Sequence, residues 1–248
     1  MRALTRAVVE PGGVLGQYTC QPPLTLRQVR SDDPDVCALC LVGTAAGPLA
    51  GDELTLELLV TAGARATLQA AGASLAQGRG DGAGALHTRV RLGADAHLDA
   101  RPGAVVVGAG GRVDVSVELE LGTGSGITWR ETVVLGRSDE AAGAATLRWD
   151  VTRGGRPVLR QFIDLTDPEL SAWPGLLSGG RVIATALLSG PGVMAQTLVA
   201  DDTAAAVALD PQTLLVTVLG SDAAEVGRRL DVLLTRTAPA RTAPVTVQ

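Results

Sequence analysis

Ala62-Gly63-Ala64-Arg65-Ala66-Thr67-Leu68 is echoed by Leu92-Gly93-Ala94-Asp95-Ala96-His97-Leu98 and, more loosely, by Thr123-Gly124-Ser125-Gly126-Ile127-Thr128-Trp129. Each copy follows a strand-like run, and the glycines at 63, 93 and 124 are spaced by 30 and 31 residues. A fixed period of about thirty residues marks one small β unit laid down several times, each too thin to bury its apolar face alone. The sequence therefore predicts a mainly β fold of stacked, helically arranged strands, β-solenoid-like or in layered sheets. A scaffold of this kind works through its surfaces more than through a catalytic cleft.

Outward from this ladder, 53–60 reads as an alternating strand after the turn Gly47-Pro48-Leu49-Ala50-Gly51-Asp52. In Val113-Asp114-Val115-Ser116-Val117-Glu118-Leu119-Glu120-Leu121 every odd position is apolar and every even one polar, the pattern of a half-buried strand. Shorter strands are expected at 24–29 and 36–42, and 146–151 and 157–165 read as a hairpin around Thr152-Arg153-Gly154-Gly155-Arg156. Gly78 to Gly84 reads as a flexible loop tip. A short helical piece is expected near 168–178. A C-terminal helix capped by Ser221 or Asp222 carries Val226, Leu230, Leu233 and Leu234 on one face, with Arg228, Arg229 and Arg236 toward its C-terminal half. The last residues, 238–248, lack any core-forming pattern and read as a disordered polar tail.

Composition narrows the function. The chain of 248 residues has 46% apolar residues and only five aromatics, Tyr18, Trp129, Trp149, Phe162 and Trp173, so its core must be built from Val, Leu and Ala. It contains no lysine and no asparagine, and its net charge of −5 argues against nucleic acid as a partner. The N-terminus lacks the apolar stretch of a secretory signal. The long uncharged segment 182–200 is broken by Ser189-Gly190-Pro191-Gly192, which reads as a turn between strands rather than a membrane span. A soluble, cytoplasmic protein is expected.

The familiar site motifs are weak. A P-loop needs a lysine, and Gly122-Thr123-Gly124-Ser125-Gly126 is followed by a β-branched run, so it reads as a hairpin turn. Cys37-Ala38-Leu39-Cys40 lies in an apolar strand, where i and i+3 point to opposite faces, and structural cysteines are the better reading. His87 and His97, the only histidines, read first as surface residues and are weak metal candidates. Arg79-Gly80-Asp81 is a chance match. Trp129-Arg130-Glu131-Thr132-Val133-Val134-Leu135-Gly136-Arg137 carries more. Glu131 either pairs with Arg130 or Arg137 at the surface, or belongs to a charged patch for a partner or a cation.

The order of segments resembles the urease accessory protein family UreD, also called UreH. Cys20-Gln21-Pro22-Pro23-Leu24-Thr25-Leu26-Arg27 is similar to its early Gly-Pro-Leu strand, and Ala46-Gly47-Pro48-Leu49-Ala50-Gly51-Asp52 to its Gly-Gly-Leu-x-x-Gly-Asp turn. Leu68-Gln69-Ala70-Ala71-Gly72-Ala73-Ser74 occupies the place of a Thr-Thr-Gln-Ala-Ala-Thr stretch, and Glu131 to Arg137 resembles a Glu-x-x-x-Leu-Gly-Arg motif. Val216-Thr217-Val218-Leu219-Gly220-Ser221 and the helix after it resemble the family's closing strand and C-terminal helix.

The resemblance implies one UreD-like β domain over 1–237 and a non-enzymatic urease maturation scaffold. Such a protein binds apo-urease together with UreF-like and UreG-like partners and helps deliver nickel to the buried active site, by a route through its own interior. It implies no tightly bound cofactor, nickel being in transit, and neither nucleic acid nor membrane as partner. The residues it singles out for partner binding or the nickel route are Gly51, Asp52, Glu131, Gly136 and Arg137. The competing reading is a β-rich protein-binding module unrelated to nickel. A hydrolase would need His87 or His97 in a pocket with perturbed partners.

Overall fold

A computed structural model describes residues 1–78, 82–167, 169, 173–193 and 195–237 of the chain. It is mainly β. The strands are β1 (Arg2–Glu10), β2 (Val14–Thr19), β3 (Leu24–Val29), β4 (Val36–Gly43), β5 (Glu53–Val60), β6 (Arg65–Ala70), β7 (Ser74–Ala76), β8 (Gly84–Leu92) and β9 (His97–Arg101). There follow β10 (Ala104–Val107), β11 (Arg112–Leu121), β12 (Gly126–Leu135), β13 (Ala144–Arg153) and β14 (Arg156–Leu165). After the short helix α1 (Pro174–Leu177) come β15 (Val182–Ser189), β16 (Leu198–Asp201), β17 (Ala204–Asp210), β18 (Thr213–Gly220) and helix α2 (Ala223–Thr237). A seven-stranded sheet in the order β14-β13-β11-β8-β5-β1-β2 faces an eleven-stranded sheet whose main path is β16-β17-β18-β15-β12-β9-β6-β4-β3.

The thirty-residue ladder is the winding of this stack. Each turn lays one strand in the first sheet, turns a corner and lays the next strand in the second: β5 to β6, β8 to β9, β11 to β12. Strands of successive coils pair in parallel, and the partners Leu56, Thr88, Val117 and Trp149 form one row about thirty residues apart along the chain. The corners are bonded coil to coil. His97 N donates to Ala64 O (2.9 Å), Gly126 N to Ala96 O (2.8 Å), and Gly63 N to Ala94 O (2.9 Å).

Gly122 to Gly126 is one of these corners. It was expected to be a hairpin turn, but β11 and β12 belong to different sheets and do not pair. Strand-like flanks reveal that the chain turns there, whereas the choice between a hairpin and a corner depends on the preceding coil, whose strands capture both flanks. Close stacking also requires bare backbone. A Cβ on Gly93 would lie 2.5 Å from Ala62 N, and one on Gly122 2.7 Å from the Gly93 carbonyl carbon.

The hairpin expected around 152–156 does form, with Gly154 and Gly155 at φ +55° and +76°. Ser189 to Gly192 ends β15 as expected, yet β15 pairs with β12 and β18 and not with the following β16. Among the described residues no helix is long and apolar enough to cross a membrane. α1 lies within the helical piece expected near 168–178, part of which falls outside the described residues, as do Arg79-Gly80-Asp81 and the tail 238–248.

Between the sheets the core is aliphatic, with Trp129 and Trp149 its two large aromatics. On the outer face of the eleven-stranded sheet α2 packs over β15 and β18. Asp222 caps the helix, its Oδ1 accepting from Glu225 N at 2.7 Å. Val226, Leu230, Leu233 and Leu234 are buried against Val182, Ala184, Ala186, Leu188 and Val218, each such side chain contributing about 1.5–3 kcal/mol. The outer face of the seven-stranded sheet stays wet and carries Arg6, Glu57, Arg89 and Glu118 as a chain of ion pairs across four strands.

Candidate functional site: a buried carboxylate between the sheets

β12 alternates strictly. Ile127, Trp129, Glu131, Val133 and Leu135 are buried, whereas Thr128, Arg130, Thr132 and Val134 are half-buried on the other face. Glu131 shares the inward parity of its apolar neighbours, so the alternation that builds the core also carries a carboxylate into it. Its Oε1 accepts a hydrogen bond of 2.9 Å from Trp149 Nε1, reaching across from the seven-stranded sheet. Both side chains are buried, Glu131 at 8% exposure and Trp149 at 2%. Burial disfavours the charged form and pushes the Glu131 carboxyl up to about 7, and the Trp149 hydrogen bond offsets only part of that effect.

Glu131 begins a polar row on the inner face. In register beside it lie Thr185 on β15 and then Thr217 on β18, the first buried and the second half-buried. Apolar rows flank it, Trp129-Leu187-Leu215 on one side and Val133-Ile183-Leu219 on the other. Gln161 on β14 stands in register with Trp149 on the facing sheet. Trp129 Nε1, two residues back along β12 and buried, finds no hydrogen-bond partner among the described residues. A buried carboxylate, neighbouring hydroxyls and an unsatisfied buried donor form a small polar interior within an otherwise aliphatic sandwich, of a kind that offers weak oxygen ligands to a hard or borderline cation.

Neither surface pairing anticipated for Glu131 forms. Arg130 points to the opposite face and its Nη1 bonds Asp231 of α2. Arg137 lies just beyond β12, where Gly136 turns the chain at φ +88° with a virtual Cβ only 2.8 Å from Ala141 O. The exposed Arg137 guanidinium donates through Nε to Glu140 Oε1 at 2.8 Å. That bond holds the Glu140 carboxyl down at about 2, against a smaller opposing effect of desolvation. Arg181 Nη1 caps the turn by donating to Arg137 O at 2.9 Å. Arg137 and Gly136 thus fix a turn at the end of the sandwich, apart from the buried carboxylate.

Asp52 sits at the start of β5, where its Oδ2 accepts from Leu49 N (2.9 Å) and its Oδ1 from the Met1 amino group (2.8 Å). Gly51 precedes it at φ +77° with open space around it. Asp52 and Arg137 lie at the same end of the stack, opposite the corners, but beside different coils. His87 on β8 shares a 2.7 Å hydrogen bond between Nδ1 and Ser116 Oγ on the outer face of the seven-stranded sheet. His97 lies on β9 in the other sheet, so the two histidines are not brought together. Among the described residues no three His, Cys, Asp or Glu side chains gather to hold a metal ion. Cys37 is buried and Cys40 half-buried, on opposite faces of β4, and burial pushes the Cys37 thiol up to about 11.

Trp149, Thr185 and Thr217 have no place among the site residues anticipated from sequence. Parity along β12 puts Glu131 inside, but which residues meet it there is decided by the packing of one sheet on the other.

Set beside known proteins, the chain falls among the urease accessory proteins. It matches the family described as UreD urease accessory protein over residues 4–247, and it belongs to that family. Similar proteins include urease accessory protein UreD 1 of Streptomyces griseus, 36% identical over 156 residues that cover 63% of this chain and 61% of the relative. UreD of Parafrankia sp. is 34% identical over 223 residues, 80% of this chain and 75% of its own length. UreD of Streptomyces avermitilis is 32% identical over 218 residues, 86% of each chain.

Proposed function

We propose that this protein is a non-enzymatic scaffold of urease maturation, acting in the cytoplasm. It binds apo-urease together with UreF-like and UreG-like partners and helps pass nickel to the urease active site. Family membership supports the maturation role, and the observation that carries the finer reading is the buried Glu131 in its polar row. Nickel(II) accepts carboxylate and water oxygen as ligands, and metal binding to a protonated carboxyl releases the proton. A carboxyl poised at about 7 is divided between its two forms at neutral pH. It takes up a cation by losing its proton and lets the cation go as the proton returns, which suits a waypoint better than a store.

The test is urease activity and nickel content after co-expressing apo-urease and the other accessory proteins, with and without this chain. Dependence of both on the chain is expected. Unchanged nickel occupancy with a folded, soluble chain would leave a β-rich binding module unconnected with nickel.

A further inference from the structure

β14 closes one end of the seven-stranded sheet and, among the described residues, pairs only with β13. At 10 residues it is longer than the other strands that end the sheets among the described residues, β2, β3, β7 and β16. Long free edges invite pairing with another strand. This one carries Phe162, 64% exposed in a chain with a single phenylalanine. On the same outward face, two residues to either side, stand Arg160 and Asp164, both exposed.

We infer that β14 is a self-association edge on which a second copy of this chain pairs antiparallel, with Phe162 on the two-fold axis. In that register Arg160 stands opposite Asp164 of the second copy, and Asp164 opposite its Arg160. Two ion pairs then flank a phenylalanine pair on the outer face, while Gln161 meets Ile163 on the inner face. Cross-strand neighbours of these kinds are favourable, and like charges in the same places are unfavourable. Centring on Arg160 or Asp164 instead opposes like charges, and centring on Gln161 leaves Asp164 opposite Val158 with no ion pair. One two-fold register therefore satisfies both charges, as an isologous contact requires.

The charges are available. Arg160 has a loose contact to Asp150 (3.6 Å) that Asp150 also gives to Arg148 at 2.6 Å. Asp164 receives Thr166 N and Oγ1 on Oδ1, with the Arg112 charge as a lesser neighbour, and among the described residues its Oδ2 accepts no hydrogen bond. A single strand pair is small beside the ~1,600 Å² of a standard interface, so the dimer is a weak one. The inference is independent of the proposed function: a chain that activates urease yet never dimerises refutes this inference and leaves that reading intact.

The experiment is sedimentation equilibrium of the purified full chain from low to high micromolar concentration, with circular dichroism to verify folding. A monomer–dimer equilibrium is expected. Arg160→Asp should weaken it at least about tenfold by placing like charges opposite each other twice. Arg160→Asp combined with Asp164→Arg restores the complementarity with the signs exchanged, and should return the constant to within about threefold of the parent. Phe162→Glu should abolish the dimer. A parent that stays monomeric throughout, a dimer insensitive to Phe162→Glu, or a folded double variant no stronger than Arg160→Asp alone each overturns the inference.

Discussion

Glu131→Gln should make this protein more stable and less useful. The amide keeps an oxygen for Trp149 Nε1 and has nearly the shape of the carboxyl, but it carries no charge to desolvate. In the folded chain burial raises the Glu131 carboxyl from 4.5 to about 7, which corresponds to about 3 kcal/mol at about 1.4 kcal/mol for each tenfold change in proton affinity. Below pH 4.5 the group is protonated in folded and unfolded chains alike and its contribution is fully present. Between 4.5 and about 7 the folded chain holds a proton that the unfolded chain has released, so stability falls as pH rises and the loss is complete above about 7. Urea denaturation at a series of pH values should therefore show parent and variant converging near pH 4.5 and the variant ahead by about 3 kcal/mol at pH 8, an upper value if the interior relaxes around the charge. Fluorescence offers a second readout, because Trp149 reports the charge beside it and should titrate with a midpoint near 7 that the variant lacks. A parent whose stability relative to the variant is flat across that range would refute the buried, charge-penalised carboxylate. In co-expression with apo-urease and its other accessory proteins, the variant should activate less urease while folding better. Glu131→Ala should likewise lower activation more than folding, and equal losses would make the residue structural.

The corners and the core give further outcomes. Gly93→Ala should destabilise the fold by about 1–3 kcal/mol because its Cβ meets the Ala62 backbone at 2.5 Å. Gly63→Ala, at φ +70° in open space, should lose only about 1 kcal/mol, and thermal melts that rank them the other way would contradict the stacked-corner geometry. Trp149→Phe leaves the Glu131 carboxyl without its donor, so the carboxyl should shift further upward and the chain should lose about 1–3 kcal/mol at pH 8 by denaturant titration. Maleimide at pH 8 followed by mass spectrometry should modify Cys20 and Cys40 in the folded chain well before Cys37, whose thiol is buried and raised to about 11.

Much of the architecture is legible in the chain because alternation and period are physical constraints on it. β5, β11 and β18 alternate or run apolar within clear turn residues, and α2 shows its stripe at Val226, Leu230, Leu233 and Leu234. β1 was not anticipated: its inward side chains are Ala3, Thr5, Ala7 and Val9, too small and too mixed to stand out, although all four are buried. β17 hides for the same reason in a run of alanines. At the candidate site, the inward parity of Glu131 can be read from Trp129, Val133 and Leu135, whereas Trp149 and Thr185 reach it only through tertiary packing. Arg137 looked like a companion of Glu131 because the two are close in sequence, yet six residues along a strand carry a side chain out of the interior to the end of the sandwich.

The turn at Gly154 and Gly155 also decides where the coil stops. Gly154 N still bonds Leu121 O at 3.1 Å, as though a further corner were beginning, but the chain folds back as β14 instead of crossing to the other sheet. Beyond this terminator every strand is added antiparallel, so β12 has parallel neighbours on one side and antiparallel β15 on the other. Glu131 lies on that seam, and its partner Trp149 lies on the last strand before the terminator. A variant gaining or losing a whole coil upstream would keep the seam intact, whereas a shift of one residue between the corner at Gly124 and the turn at Gly154 would dismantle it. Length change in this fold should thus be tolerated in units of one winding and damaging where the winding ends.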